Sequence, residues 1–258
     1  MTISLNDKIT LVTGAGGGIG GEICKALKQA NATVIATDLV NPVEASSDLT
    51  LEHDVTSKEA WAEVVSKIKD RYSRLDAVVN NAGFSFVDSI ENTDVERWRS
   101  IMSVNVESIL HSYHSCLELL KIGGEKSTSG ASVVNISSVG GQRGAAFNAA
   151  YCATKAAVLN FSKSAAVEFG MLGYNIRVNS VHPGGVDTPM LQSIIQSYVD
   201  LGAAPSYDEA QAAVISNHPI GRIASPSEMA GGVVYLCSDA ASFVTGSELV
   251  IDGGFTAK

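Results

Sequence analysis

Ile9 to Gly21 reads ITLVTGAGGGIGG, and from Gly21 the chain continues as GEICKALKQA. Ile9–Thr13 is a short apolar run rich in β-branched residues, the signature of a buried strand. It enters a glycine-rich turn directly, and the turn leads into a helical pattern. Strand, glycine turn and helix in that order let the backbone approach a pyrophosphate, with helix N–H groups and the positive dipole end facing the anion. Two glycine registers fit: Gly16, Gly18 and Gly21 satisfy GxGxxG, while Thr13, Gly14, Gly18 and Gly20 satisfy TGxxxGxG. Either makes this segment, with Ile19 between the glycines, a dinucleotide site.

A second strand, Thr33–Thr37, ends in Asp38, about twenty residues beyond the glycines, where a carboxylate can accept both ribose hydroxyls of adenosine. A 2′-phosphate would meet that carboxylate, and Leu39 offers no compensating cation, so the expected cofactor is NAD in preference to NADP. A third strand, Leu49–His53, leads to Asp54 and Val55, placed for the adenine. The fourth, Leu75–Val79, runs into Asn81, Ala82 and Gly83, placed for the adjacent ribose. Small or polar residues at successive strand ends line the ligand crevice of an open α/β sheet.

Strand five, Ser132–Ile136, delivers Ser137 and Ser138 to the same edge, thirteen residues before Tyr151. Tyr151 and Lys155 lie four apart in AAYCATKAAV, on one face of a helix, so that the ammonium favours the phenolate. A serine hydroxyl and a tyrosine can then grip one carbonyl oxygen from two sides. Nucleophilic acyl transfer is not expected, because no GxSxG elbow surrounds these serines.

The 258 residues have a formal net charge of −9, with 45% hydrophobic and 17% charged residues. This composition fits one soluble domain and excludes a basic nucleic-acid surface. No apolar run has the length of a membrane span and the N-terminus lacks a signal-peptide pattern, so the expected location is the cytoplasm. Cys24, Cys116, Cys152 and Cys237 are widely spaced, as reduced thiols are. His111, His114 and Cys116 diverge around a helix, and no metal is expected. Gly123–Gly130 reads as a surface connection.

Together TGAGGGIG, NNAG, Asn105 in MSVNVES, Ser138, YCATK and HPGGVDTP resemble the short-chain dehydrogenase/reductase family along essentially the whole chain. The resemblance implies one Rossmann-type, doubly wound α/β domain with a seven-stranded parallel sheet and helices on both faces. It also implies a catalytic tetrad of Asn105, Ser138, Tyr151 and Lys155. Tyr151 exchanges the proton on the substrate oxygen, Ser138 positions that oxygen, and Lys155 lowers the tyrosine pKa and holds the nicotinamide ribose. Asn105 holds a water that leads to Lys155. Pro183, Gly184, Val186 and Thr188 fall in the segment that closes over the nicotinamide; His182 reads as a plain strand-end residue.

Residues 188–221 form the expected substrate lid, with Met190, Leu191, Ile194, Ile195 and Tyr198 as its apolar face. That stretch offers no cationic clamp, although Arg143 lies beyond Ser138. Gly140, Gly185 and Phe147, with Phe84, complete a pocket for a neutral apolar secondary alcohol or ketone, and the stretch IRVNSVHPGGVDTPML, residues 176–191, is similar to that of bacterial hydroxysteroid and cyclic-alcohol dehydrogenases. The competing readings are a 3-oxoacyl-thioester reductase and a non-catalytic NAD-binding regulator. Helices over Ser100–Leu120 and Ala149–Phe169 carry apolar residues on more than one face, and by the same resemblance they pack between subunits of a homotetramer.

Overall fold

The computed structural model describes residues 3–40 and 46–257. Seven strands are paired in parallel: β1 (Ile9–Thr13), β2 (Thr33–Asp38), β3 (Leu49–Glu52), β4 (Ala77–Asn80), β5 (Ala131–Ile136), β6 (Ile176–Pro183) and β7 (Glu248–Ile251). Their spatial order is β3-β2-β1-β4-β5-β6-β7. Neighbouring residues on one strand go to opposite faces, so Leu11 and Val12 enter different cores. Leu11, Ile35, Val78, Val133 and Val178 pack with Trp61, Tyr113 and Phe169 on one side. Val12, Val34, Val79, Val134 and Val181 pack with Ile23, Leu27 and Val233 on the other. A sheet covered on both faces needs strands that are apolar throughout, which is how these strands read.

The helices are α1 (Gly18–Gln29), α2 (Lys58–Tyr72), α3 (Val95–Met102), α4 (Ser108–Glu125), α5 (Ala149–Met171), α6 (Pro189–Asp200), α7 (Tyr207–Ser216) and α8 (Pro226–Cys237). The strand order reverses between β1 and β4, and at such a point the loops diverge and open a crevice. This reversal places the turn after Thr13 beside the turn after Asn80.

Two expectations are corrected. The helix expected over Ser100–Leu120 is interrupted by a π-helical turn, Ser103–Glu107, which carries Asn105. The connection expected at Gly123–Gly130 is helical as far as Glu125. Its glycines serve contact rather than looseness: a Cβ on Gly123 would lie 1.9 Å from the Leu75 carbonyl oxygen, and one on Gly124 2.3 Å from that of Asn175. Strand ends shift by one to two residues, as boundaries commonly do.

Candidate active site

A cavity of about 760 Å³ runs along the carboxyl ends of the strands. At one end lies the turn after β1. Gly14 and Gly18 have φ of 64° and 53°, the left-handed region where a side chain is strained. A Cβ on Gly20 would sit 2.0 Å from the Gly14 carbonyl oxygen, whereas one on Gly21 would make only a 3.7 Å contact with the Ala15 carbonyl oxygen. The close packing therefore belongs to the Thr13-Gly14-Gly18-Gly20 register. Thr13 Oγ1 accepts from the backbone N–H groups of Asn81 and Ala82 at 3.1 and 3.2 Å, and Asn81 Nδ2 donates to the carbonyls of Thr13 and Gly14 at 3.1 and 2.8 Å.

Helix α1 begins at this turn with no side-chain cap and no acidic residue in its first turn. By contrast, α2, α3, α6 and α7 are capped by Ser57, Asp94, Thr188 and Ser206. Uncapped N–H groups opening onto a cavity fit a dinucleotide diphosphate. Asp38 Oδ2 accepts from Gly16 N at 2.7 Å and Oδ1 from Leu39 N at 2.7 Å, which fixes the carboxylate at the cavity wall. Asp54 accepts from the Thr56 hydroxyl and N–H, and these bonds hold its carboxyl below the usual range. Ile19, Asp38, Leu39, Asp54, Val55, Asn81, Ala82 and Gly83 all line the cavity; Gly20 lies behind it.

At the other end stand Ser138, Tyr151 and Lys155. Lys155 is 5% exposed, and burial brings its ammonium down to about 8. Its Nζ donates to the Ile136 carbonyl at 2.8 Å and lies 5.6 Å from the Tyr151 ring centroid. Burial pushes the Tyr151 phenol up, and the Ser138 hydroxyl beside it acts in the opposite direction. Burial is the larger of these effects, so the phenol stays above its ordinary range. Ser138 caps a short 3-10 turn, Val139–Gly141, its Oγ accepting from Gly140 N at 3.1 Å.

Asn105 is buried rather than solvent-facing, and it does not line the cavity. Its Oδ1 accepts from Phe84 N at 3.0 Å, while Nδ2 donates to Phe84 O at 2.9 Å and Thr154 Oγ1 at 3.1 Å. Thr154 Oγ1 in turn donates to the Tyr151 carbonyl at 2.8 Å. The asparagine thereby ties the strand-four loop to the helix of Tyr151.

Pro183, Gly184, Val186 and Thr188 also line the cavity, Thr188 beside the glycine turn, where a Cβ on Gly18 would lie 3.5 Å from its Cγ2, and Met190, Leu191 and Ile194 of α6, with Phe84 and Val104, add apolar lining. Gly140, Phe147 and Gly185 are not among the lining residues. Gly140 is nonetheless adjacent, because a Cβ there would be 3.5 Å from Tyr151 Cε1. Gly185 is occupied with His218, to whose Nε2 its N–H donates at 2.9 Å. Phe147 packs edge-on against Tyr198 at 6.2 Å.

Tyr198 and Ile195 do not share that apolar lining. The Tyr198 hydroxyl accepts from Asn148 Nδ2 at 2.6 Å and donates to the Ala146 carbonyl at 3.0 Å, while Ile195 is buried. Arg143 turns to the C-terminal segment, donating to the Phe255 carbonyl at 2.9 Å. Among the described residues that line the cavity, Lys155 is the only cation. Ile136, Ser137 and His53, which also line it, were legible as strand-end residues; Val104 was not, because its direction depends on the π-helical turn.

Residues 14–256 match the family model described as Enoyl-(Acyl carrier protein) reductase. The chain is 38% identical to the cyclopentanol dehydrogenase of Comamonas testosteroni over 98% of its own length and 99% of that protein's. It is 34% identical to the NADP-dependent (R)-specific alcohol dehydrogenase of Lentilactobacillus kefiri over the full length of both. The aldohexose dehydrogenase structure of Thermoplasma acidophilum superposes with a TM-score of 0.88 at 31% identity, covering 100% of this chain and 97% of that one. With the glycine register, the parallel sheet and the Ser138, Tyr151 and Lys155 cluster, these likenesses make the chain a member of the short-chain dehydrogenase/reductase family.

Proposed function

We propose that this chain interconverts a neutral cyclic secondary alcohol and its ketone, using NAD in preference to NADP. The observation that carries the reading is the continuity of one cavity from Asp38, past Tyr151 and Lys155, to the apolar wall of Met190, Leu191 and Ile194. The nicotinamide, when bound, supplies or takes the hydride. Tyr151 gives its proton to the carbonyl oxygen in reduction and takes the hydroxyl proton in oxidation, and Ser138 holds the same oxygen. Lys155 fixes the site beside the phenol and Asn105 positions Phe84 and Tyr151. A phenol kept protonated by burial is set up as the acid for reduction, so oxidation speeds as pH rises.

Asp38 supports NAD, since a 2′-phosphate would face its carboxylate and residues 39–48 contain no lysine or arginine. The cyclic alcohol is supported by the likeness to the cyclopentanol dehydrogenase and by the absence of a cation on the apolar wall among the described residues. The family-model description, Enoyl-(Acyl carrier protein) reductase, names acyl thioesters as a second substrate class, and within that class a 3-oxoacyl-thioester reductase is the second reading, because Tyr151 and Ser138 would act on a carbonyl oxygen rather than on a carbon–carbon double bond. Residues 188–221 serve as the substrate lid. Val167 and Met171 of α5 and Leu172 just beyond its end are exposed and apolar, which supports assembly into a homotetramer; light scattering of a stable monomer would refute this.

NADH formation from NAD, measured with cyclopentanol, cyclohexanol, linear secondary alcohols and 3-hydroxyacyl thioesters, tests the substrate class. The cyclic alcohols are expected to give kcat/KM at least about tenfold above the thioesters, the discrimination that one or two apolar contacts provide. The reverse order would favour the thioester reading.

A further inference from the structure

We propose that His182 is a positioning residue for Ser138, held as the neutral Nδ1–H tautomer; this rests on the reading of Ser138 as the group that holds the substrate oxygen. His182 lies near the end of β6 and is fully buried. Its Nδ1 is 3.1 Å from the Ser138 carbonyl oxygen and its Nε2 is 2.8 Å from Ser180 Oγ. A carbonyl only accepts, so Nδ1 carries the proton and Nε2 accepts from the Ser180 hydroxyl.

The backbone explains why a side chain is needed here. The ladder between β5 and β6 ends with Ser137 N donating to Val181 O at 2.8 Å. Pro183 has no N–H with which to extend it. Gly184 N belongs by strand alternation to the β7 edge, where it donates to Ile251 O at 3.0 Å, and so does not extend the β5 ladder either. The Ser138 carbonyl thus lies one residue beyond the ladder, where it accepts from Gly141 N at 2.9 Å, closing the 3-10 turn, and from the imidazole. Two donors on one carbonyl fix the peptide plane that follows Ser138 and hold the turn closed, and from within that turn Gly140 N donates to Oγ at 3.1 Å and sets its direction.

Burial holds the imidazole below its usual range, and the charged groups that act on it are Glu248 of β7 and Lys155 and Lys163 of α5. Lys163 is itself paired with Glu248. The ring therefore serves as a fixed donor rather than a proton shuttle.

The test is a double-mutant cycle with Ser138→Ala, read as kcat and KM. His182→Leu is expected to lower kcat about 10- to 100-fold, the scale of a small misplacement of a catalytic group, with KM for NAD unchanged. In the Ser138→Ala background the same change is expected to cost less than about threefold, because the group being positioned is gone. His182→Asn, whose Nδ2 stands in for Nδ1, is expected to recover most of kcat. His182→Gln, which reaches Ser180 instead, is not.

Equal losses in both backgrounds, or equal behaviour of the Asn and Gln variants, overturns the proposal. If the Leu variant does not fold, the Asn and Gln pair decides alone. Full activity in Ser138→Ala by itself would defeat the underlying reading of Ser138; a severe loss there with wild-type activity in His182→Leu defeats only the role of His182.

Discussion

Ser137 and Lys155 are locked to one another across the strand-five edge: Ser137 Oγ donates to the Lys155 carbonyl at 2.9 Å, while Lys155 Nζ donates to the carbonyl of Ile136, the neighbour of Ser137, at 2.8 Å. Strand and helix thus hold each other at the point where the ammonium leaves the helix. Gly141 permits the approach, since a Cβ there would lie 2.6 Å from the Lys155 carbonyl oxygen. Both hydrogen bonds are buried, where a lost partner is costly. The relative position of Ser138, Tyr151 and Lys155 is consequently a property of the fold.

Gly20 and Gly21 are adjacent in sequence and opposite in tolerance. Gly20→Ala places a methyl 2.0 Å from the Gly14 carbonyl oxygen, and overpacking of this kind costs about 1–3 kcal/mol. Gly21→Ala meets ordinary contact in a helix interior, where alanine is favoured over glycine by about 0.8–1 kcal/mol. Thermal melts and cofactor titration should show the first variant less stable and weakly binding, the second at least as stable as the parent. Identical behaviour would mean that the turn has been read in the wrong register.

The strand-turn-helix of Ile9–Gln29 was legible because apolar run, glycines and helical pattern are all local. So were Asp38, Asp54 and Asn81, which a single rule places at strand ends. The environment of Asn105 was not, because a π-helical turn leaves no mark in apolar periodicity and its partners, Phe84 and Thr154, are 21 and 49 residues away. Gly123 and Gly124 misled for the opposite reason: glycine signals a turn and a close backbone approach alike. Gly185 and Phe147 lay beside the right segments, but their directions depend on His218 and Tyr198, which only tertiary packing brings near.

Asp38→Ser should exchange the cofactor preference. The carboxylate is expected to contribute hydrogen bonds worth about 1.5–3 kcal/mol to NAD, so kcat/KM with NAD should fall roughly 10- to 100-fold while that with NADP rises. Steady-state kinetics with both cofactors measures this, and an unchanged NAD preference would remove Asp38 from the ribose site.

Lys155 links stability to pH. Its ammonium falls from 10.5 to about 8 on burial, so between those values the unfolded chain binds more protons and stability rises with pH. Below pH 8 both states are protonated and the burial cost stands in full, about 3 kcal/mol. Lys155→Met lacks this cost but leaves the Ile136 carbonyl without its donor, a loss of about 1–3 kcal/mol. Denaturant unfolding at pH 7 and pH 10 should show the stability of the parent improving relative to the methionine variant by up to about 3 kcal/mol. A difference that does not change with pH would show that the ammonium is not desolvated.

The most direct test of the central claim is the turnover of cyclopentanol with NAD by Tyr151→Phe, alongside cofactor affinity measured by NADH fluorescence. Removing a general acid and base should lower kcat by about 10²- to 10⁴-fold while NADH binding stays within twofold, because the ring and Lys155 remain in place. A phenylalanine variant that turns over at the parent rate would contradict proton transfer by Tyr151, and with it the assignment of the cavity as the place where alcohol and ketone are exchanged.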